Sequence, residues 1–277
     1  MFFKSNLMRK VTSKIYQVFF EGFEYFYRKI PNQITKQNKK KVIPNVVYQT
    51  WISRKLPWRM TKEIKKFREL NYDHSFLLFT DNERDEYMYS YWGKRKIYEI
   101  YKNCVFQSSK ADIWRYCILY ERGGYYFDIK SSCEIPLSKL KISNGAILTH
   151  ENYYASILPT QGILINNKNF NLNLIANWGI GFEQKHPLLE IIISNIEHYA
   201  DFFRGKIFED PKSHITAFTG PGMMTKSYRD FLDNDMEAIK FNGIDFLGKG
   251  IYQVKGGQFR HKISPHYAKV KNAKILI

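Results

Sequence analysis

One stretch restricts the fold of this chain more than any other: ADIWRYCILYERGGYYFDIKSSCEIPL, residues 111 to 137. A periodic segment runs into two adjacent glycines and then into a short aromatic, β-branched run. Paired glycines suit the left-handed backbone with which helices often end. The residues after them have the character of a strand entering a core. The spacing predicts a helix starting near Lys110, with Ser109 as its cap and Asp112 completing an acidic capping box, and ending at Gly123 and Gly124. Asp128 then falls near the exit of the following strand, the edge at which open α/β sheets bind ligands.

The rest of the chain repeats the alternation. VIPNVVYQTW holds a short buried strand at Val46–Tyr48, residues 61 to 70 read as helix, and HSFLLFTD at 74 to 81 as a second strand. GAILTH and GILINN are further strand candidates. Residues 186 to 203 read as a helix with Pro187 in its first turn, and a break at Gly220-Pro221-Gly222 precedes a helix around 224 to 232. The fold class expected is α/β, with one catalytic-sized domain over residues 42–248, a basic N-terminal helix and linker over 1–41, and a basic segment over 249–277.

Charge supports that division. The chain carries +17, with ten Lys or Arg against two Glu in residues 1–41 and seven with no acid in 249–277, which leaves about +2 for the body. A duplex-binding domain wears its charge on a folded face with a recognition motif; here the charge sits at the ends, and no specific nucleic acid is expected as partner. Val11, Ile15, Phe19, Phe23, Phe26 and Ile30 advance by three or four among Lys and Arg, so residues 2 to 30 read as a helix lying on an anionic membrane surface or packing on protein. Charges interrupt the apolar stretches, so no signal peptide or spanning segment is expected. Cys104, Cys117 and Cys133 have no metal-like or disulfide-like spacing. Together these point to a cytoplasmic, peripheral-membrane protein.

Asp112 and Arg115 stand three apart, on one helix face, with Asp128 one turn and one strand further on. This spacing suits an ordinary ion pair. It also suits the orientation of a polyhydroxylated ligand, because carboxylates accept hydroxyl hydrogens and a guanidinium donates in a rigid fork. Spacing leaves both readings open.

IPNVVYQTW, SSKADIWRYCILYERGGYYFDIKS, HPLLE and TGPGMMT, in this order over about residues 43 to 226, resemble the DXD-containing glycosyltransferases of family 32, which include mannosyltransferases and capsule or lipopolysaccharide sugar transferases. The resemblance implies a GT-A-like, Rossmann-like fold. It further implies a retaining transfer from a UDP- or GDP-sugar donor to a surface-glycan or lipid-linked acceptor. It places Trp51 beside the nucleotide base, Asp112 and Arg115 on donor-sugar hydroxyls, and Asp128 first in the donor and metal motif. Lys130 stands where the family has its second acid, so dependence on Mn2+ or Mg2+ is open: either Asp128 finds other donors, His261 among them, or the ammonium replaces part of the metal's charge. Gly220, Pro221 and Gly222 resemble a loop near donor or acceptor, and Arg260, His261, Lys262 and His266 could close over a diphosphate. Two other classes remain, an inactive glycan-binding or assembly subunit and a basic nucleic-acid-binding protein.

Overall fold

A computed structural model describes residues 27–36, 41–151, 156–157, 165–166, 174–242, 251–253 and 269–277. The elements run β1 (Tyr27–Lys29), β2 (Val46–Trp51), β3 (Lys55–Pro57), α1 (Trp58–Leu70), β4 (Ser75–Thr80), α2 (Asp81–Trp92), α3 (Lys96–Asn103), α4 (Gln107–Arg122), β5 (Gly124–Phe127) and β6 (Ser131–Cys133). After them come β7 (Ala146–Ile147), β8 (Ser156–Ile157), β9 (Ile165–Asn166), β10 (Gly179–Phe182), α5 (Pro187–Phe203), β11 (Ile207–Phe208), α6 (Pro211–Phe218), α7 (Pro221–Asp233), β12 (Ile251–Gln253) and β13 (Ala273–Lys274).

The central sheet has the order β4-β2-β5-β10-β7. β2 lies parallel to both β4 and β5, the arrangement of a Rossmann-like half, and β10 runs antiparallel to β5 and β7. All four residues of β5 are buried, which accounts for a run that is apolar rather than alternating. One face carries Trp114, Tyr126, Phe182 and the helices α4, α5 and α7; the other carries Val47, Phe67, Phe76, Tyr125 and Phe127 over α1.

The paired glycines are required by geometry. Gly123 caps α4 at φ +62°, ψ −174°, a region almost confined to glycine, and its N–H donates to Leu119 O at 2.7 Å. Gly124 follows at φ +107°, and a Cβ there would stand 2.7 Å from Val46 O. The close approach brings β5 against β2 directly after the helix.

Several expectations are corrected. α4 begins at Gln107, with Phe106 as an N-cap that gives no side-chain bond, so Ser109 lies inside the helix and Asp112 serves no capping box. The strand before Asp128 stops at Phe127, as expected, and Ser131 N–H donates to Asp128 O at 2.8 Å, so Lys130 sits in the turn that follows. The helix expected through Ile30 is not helical at its end: Tyr27–Lys29 is a strand paired with Lys55–Pro57, and Ile30 is buried. The start of the linker also belongs to the body, because Gln33 exchanges both backbone bonds with Phe76 at 3.0 and 2.7 Å. Residues 1–26, and with them most of the expected membrane helix, lie outside the described residues. Among the described residues no helix is long and apolar enough to cross a membrane.

Candidate active site

The exit of β5 and the second and third turns of α4 meet in one polar cluster. Arg115 Nη2 lies 3.0 Å from Asp112 Oδ1 and 3.5 Å from Asp128 Oδ1, so one guanidinium joins the two carboxylates. Its Nη1 donates to Asn177 O at 2.8 Å, its Nε donates to Ala111 O at 3.3 Å, and it stacks 4.2 Å over the Tyr126 ring. These contacts use four of its five N–H groups. Arg115 therefore orders the site as much as it offers hydrogen bonds to a ligand.

Asp112 is held with equal completeness. Asn177 Nδ2 donates to its Oδ1 and the Thr219 hydroxyl to its Oδ2, both at 3.0 Å. With Arg115, three of about four acceptor positions are filled, which leaves room for one ligand hydroxyl. Asn177 also donates to the Tyr116 hydroxyl at 3.0 Å, and that hydroxyl donates to Thr219 O at 3.0 Å. Burial pushes the Asp112 carboxyl up to about 6, against the pull of Arg115 and the Thr219 and Asn177 bonds. Burial also works against the Arg115 charge, and Tyr126, Asp112 and Asp128 more than offset it, so its pKa stands above the usual guanidinium value.

Asp128 is the outward member, its side chain 24% exposed against 5% for Arg115. Tyr126 donates its hydroxyl to Asp128 Oδ1 at 2.7 Å, and burial holds that phenol well above its ordinary pKa, hence protonated. The Asp128 N–H is fixed on Trp178 O at 2.9 Å. Lys130 is partly exposed two residues on, and its ammonium has no ion-pair or hydrogen-bond partner among the described residues.

Trp51 ends β2 and packs, partly buried, against the cluster of Ile30, Leu56, Met60, Ile64, Leu78 and Ile129. Gly220 is the N-cap of α7 with Pro221 and Gly222 in its first turn. Its φ of −87° needs no glycine, and a Cβ there would stand tightly, 3.0 Å from Thr216 Cα. The loop touches the acidic cluster through the preceding Thr219. Arg260, His261, Lys262 and His266 lie outside the described residues, although β12 pairs Gln253 with Ser131, one residue beyond Lys130. Asn177, and the role of Thr219 at the start of TGPGMMT, are what sequence reasoning misses: they stand 65 and 107 positions from Asp112.

A cavity of about 310 Å³ lies elsewhere, between β4 and α2, lined among others by Asn32, Arg54, Glu83 and Tyr87. It contains none of the three clustered charges. The ladder places it at the sheet's β4 edge, with β2 between it and β5.

Among the described residues the donor set at Asp128 suits a divalent ion poorly: such ions at nucleotide sites take one or two carboxylates beside phosphate and water oxygens, and here the one carboxylate has an oxygen already shared by Tyr126 and Arg115 and is followed by a lysine in place of a second acid. Among the described residues no three His, Cys, Asp or Glu side chains cluster as a metal site.

Residues 57–154 match a family described as the glycosyltransferase sugar-binding region containing a DXD motif. Curated relatives include inositol phosphoceramide mannosyltransferase 3 of Schizosaccharomyces pombe, 26% identical over 59% of this chain and 40% of the relative. The initiation-specific alpha-1,6-mannosyltransferase of Candida albicans is 23% identical over 73% of this chain and 56% of that one. An uncharacterized glycosyltransferase of Acanthamoeba polyphaga mimivirus is 25% identical over 70% and 68%. The chain spans less than half the length of the first of these relatives. Among solved structures, the PaToxG glycosyltransferase superposes with a TM-score of 0.50 at 13% identity, covering 82% of this chain and 83% of that one. The shared fold is GT-A-like.

Proposed function

We propose that this chain, of the DXD-containing family 32 glycosyltransferase type, transfers a sugar from a nucleotide-diphosphate donor to a surface-glycan or lipid-linked acceptor, with retention at the anomeric carbon. The observation that carries the reading is the buried Asp112–Arg115 pair joined to Asp128 at the exit of β5. Asp112 has one acceptor position left and Arg115 one N–H, which suits recognition of neighbouring sugar hydroxyls. Because both groups are already locked by Asn177 and Thr219, little order has to be gained when the sugar binds.

In this reading Trp51 offers its face to the base, as aromatic side chains do for nucleobases. The bond between anomeric carbon and diphosphate oxygen breaks and its electron pair leaves with the diphosphate. The acceptor hydroxyl oxygen forms the new bond on the same face and its proton passes to the leaving phosphate. Front-face transfer is favoured over double displacement because Asp112, the enclosed carboxylate of the cluster, is committed to Arg115, Asn177 and Thr219.

The relatives named above as mannosyltransferases, one of them acting on inositol phosphoceramide, make a mannosyl donor and a glycolipid acceptor the first pair to try. The test is turnover of a panel of UDP- and GDP-sugars with glycan and lipid-linked acceptors, followed by assignment of the product anomer. Transfer with the donor's own anomeric configuration is expected. An inverted product would remove the stereochemical assignment.

A further inference from the structure

We propose that Lys130 takes the place of a divalent ion at the donor diphosphate, so that this chain binds its nucleotide without metal. The inference rests on the nucleotide-sugar reading above and adds to it the identity of the cation.

The family is described by an Asp-X-Asp motif, yet residues 57–154 contain no such triplet. The nearest match at the exit of β5 is Asp128-Ile129-Lys130. The chain's sole literal triplet, Asp233-Asn234-Asp235, is exposed at the end of α7, outside the matched region. The substitution thus falls on the position at which the motif would add a second oxygen donor.

Three features of the turn make the replacement one of function. Asp128 and Ser131 are closed by a 2.8 Å backbone bond, which keeps the ends of the turn within ~7 Å of one another and Lys130 in the same turn as Asp128. The intervening Ile129 is buried in the cluster against which Trp51 packs, so the backbone of the turn is anchored beside Asp128. The ammonium, finally, is left with no counter-charge among the described residues, although Asp128 stands two positions before it. Asp128 instead faces Arg115 and Tyr126.

The charge count points the same way. Asp112, Asp128 and Arg115 together carry one net negative charge, which would repel a diphosphate; Lys130 brings the cluster to neutrality. A flexible four-carbon stem with three donors suits a phosphate as a point charge. A lysine beside Asp128 also opposes a divalent cation there by like-charge repulsion.

The test measures binding, not turnover: calorimetric titration of the full chain with UDP and with GDP, in EDTA and then in Mn2+. The wild type is expected to bind one nucleotide in EDTA, with affinity changed less than about three-fold by Mn2+. Lys130→Ala is expected to weaken binding in EDTA by about ten-fold or more, the scale of one charge-assisted contact. Lys130→Arg should retain binding. Lys130→Asp, which writes the two-acid motif, should bind weakly in EDTA and regain affinity with Mn2+. Because Lys130 is a partly exposed turn residue, all three variants should keep the wild-type melting temperature, and thermal scans check this. Wild-type binding that appears only with Mn2+, or a Lys130→Ala variant that binds as tightly as wild type in EDTA, overturns the proposal and leaves the donor reading standing. Binding of neither nucleotide in either condition overturns both.

Discussion

Thr219→Val removes one hydroxyl at constant shape and isolates what holds Asp112. Thr219 is fully buried, and its hydroxyl donates to Asp112 Oδ2 at 3.0 Å while its carbonyl accepts from Tyr116, a bond the substitution leaves intact. A hydrogen bond to a charged group contributes about 1.5–3 kcal/mol. At 1.36 kcal/mol per pKa unit its loss raises the Asp112 carboxyl by about one to two units. The wild-type value of about 6 already reflects burial, with the Thr219 bond among the influences that lower it. The acid limb of donor kcat/KM, near pH 6 in the wild type, should therefore move to roughly pH 7–8, with convergence of the two proteins in alkali. Stability follows the same sign. A carboxyl raised above its ordinary 3.8 stabilises the fold fully below that value, and the contribution is lost as pH rises through the folded pKa. The variant's deficit should consequently be small at pH 5 and grow toward pH 8.5, by about 2–4 °C in melting temperature per kcal/mol for a domain of this size. Superimposable pH profiles, with a uniform fall in activity, would refute the claim that Thr219 acts through Asp112.

Other outcomes follow from the same structure. Gly124→Ala should cost about 3 kcal/mol or more, read as a lower denaturation midpoint, because its φ is +107° and the new Cβ meets the Val46 carbonyl. Trp51→Ala should weaken nucleotide binding by roughly ten-fold and Trp51→Phe by less, measured by titration, if the ring stacks on the base. For the membrane surface proposed for the N-terminal segment, removal of residues 1–26 should abolish sedimentation with anionic vesicles at low salt. The cut has to stop before Tyr27, since Tyr27–Lys29 pairs with β3; equal recovery of both proteins would contradict the anchoring.

The parts legible in the sequence are those governed by local backbone chemistry. Gly123 and Gly124 announce a turn because their positive φ values exclude other residues, and the aromatic run after them announces a buried strand. Asp128 at the exit of that strand follows from the same run. Asp112 and Arg115 meet because they are one helical turn apart. The start of α4 is misread because Ser109 has the chemistry of a cap, whereas the real N-cap, Phe106, gives no side-chain signal. α2 escapes notice although Thr80 and Glu83 form a full capping box, because its tyrosines, arginine and acids show no clear apolar stripe. Asn177 could not be found from local pattern, and Thr219, although it opens the TGPGMMT stretch, gives no local sign of a bond to Asp112. Their roles exist only once β10 and α7 are packed against α4, which is a tertiary fact. The N-terminal spacing that predicts helix through Ile30 fails at Tyr27 for a similar reason: β3 offers these residues a strand partner.

In the proposed complex the donor lies across Trp51, the Asp128 turn and the Asp112–Arg115 pair. A crystal structure of the chain with a non-transferable nucleotide sugar tests it most directly. The expected result is the base on Trp51, the diphosphate beside Lys130 with no metal between, and a sugar hydroxyl within hydrogen-bond distance of Asp112. A nucleotide seated instead in the cavity between β4 and α2, with Asp112, Arg115 and Asp128 untouched, would contradict it.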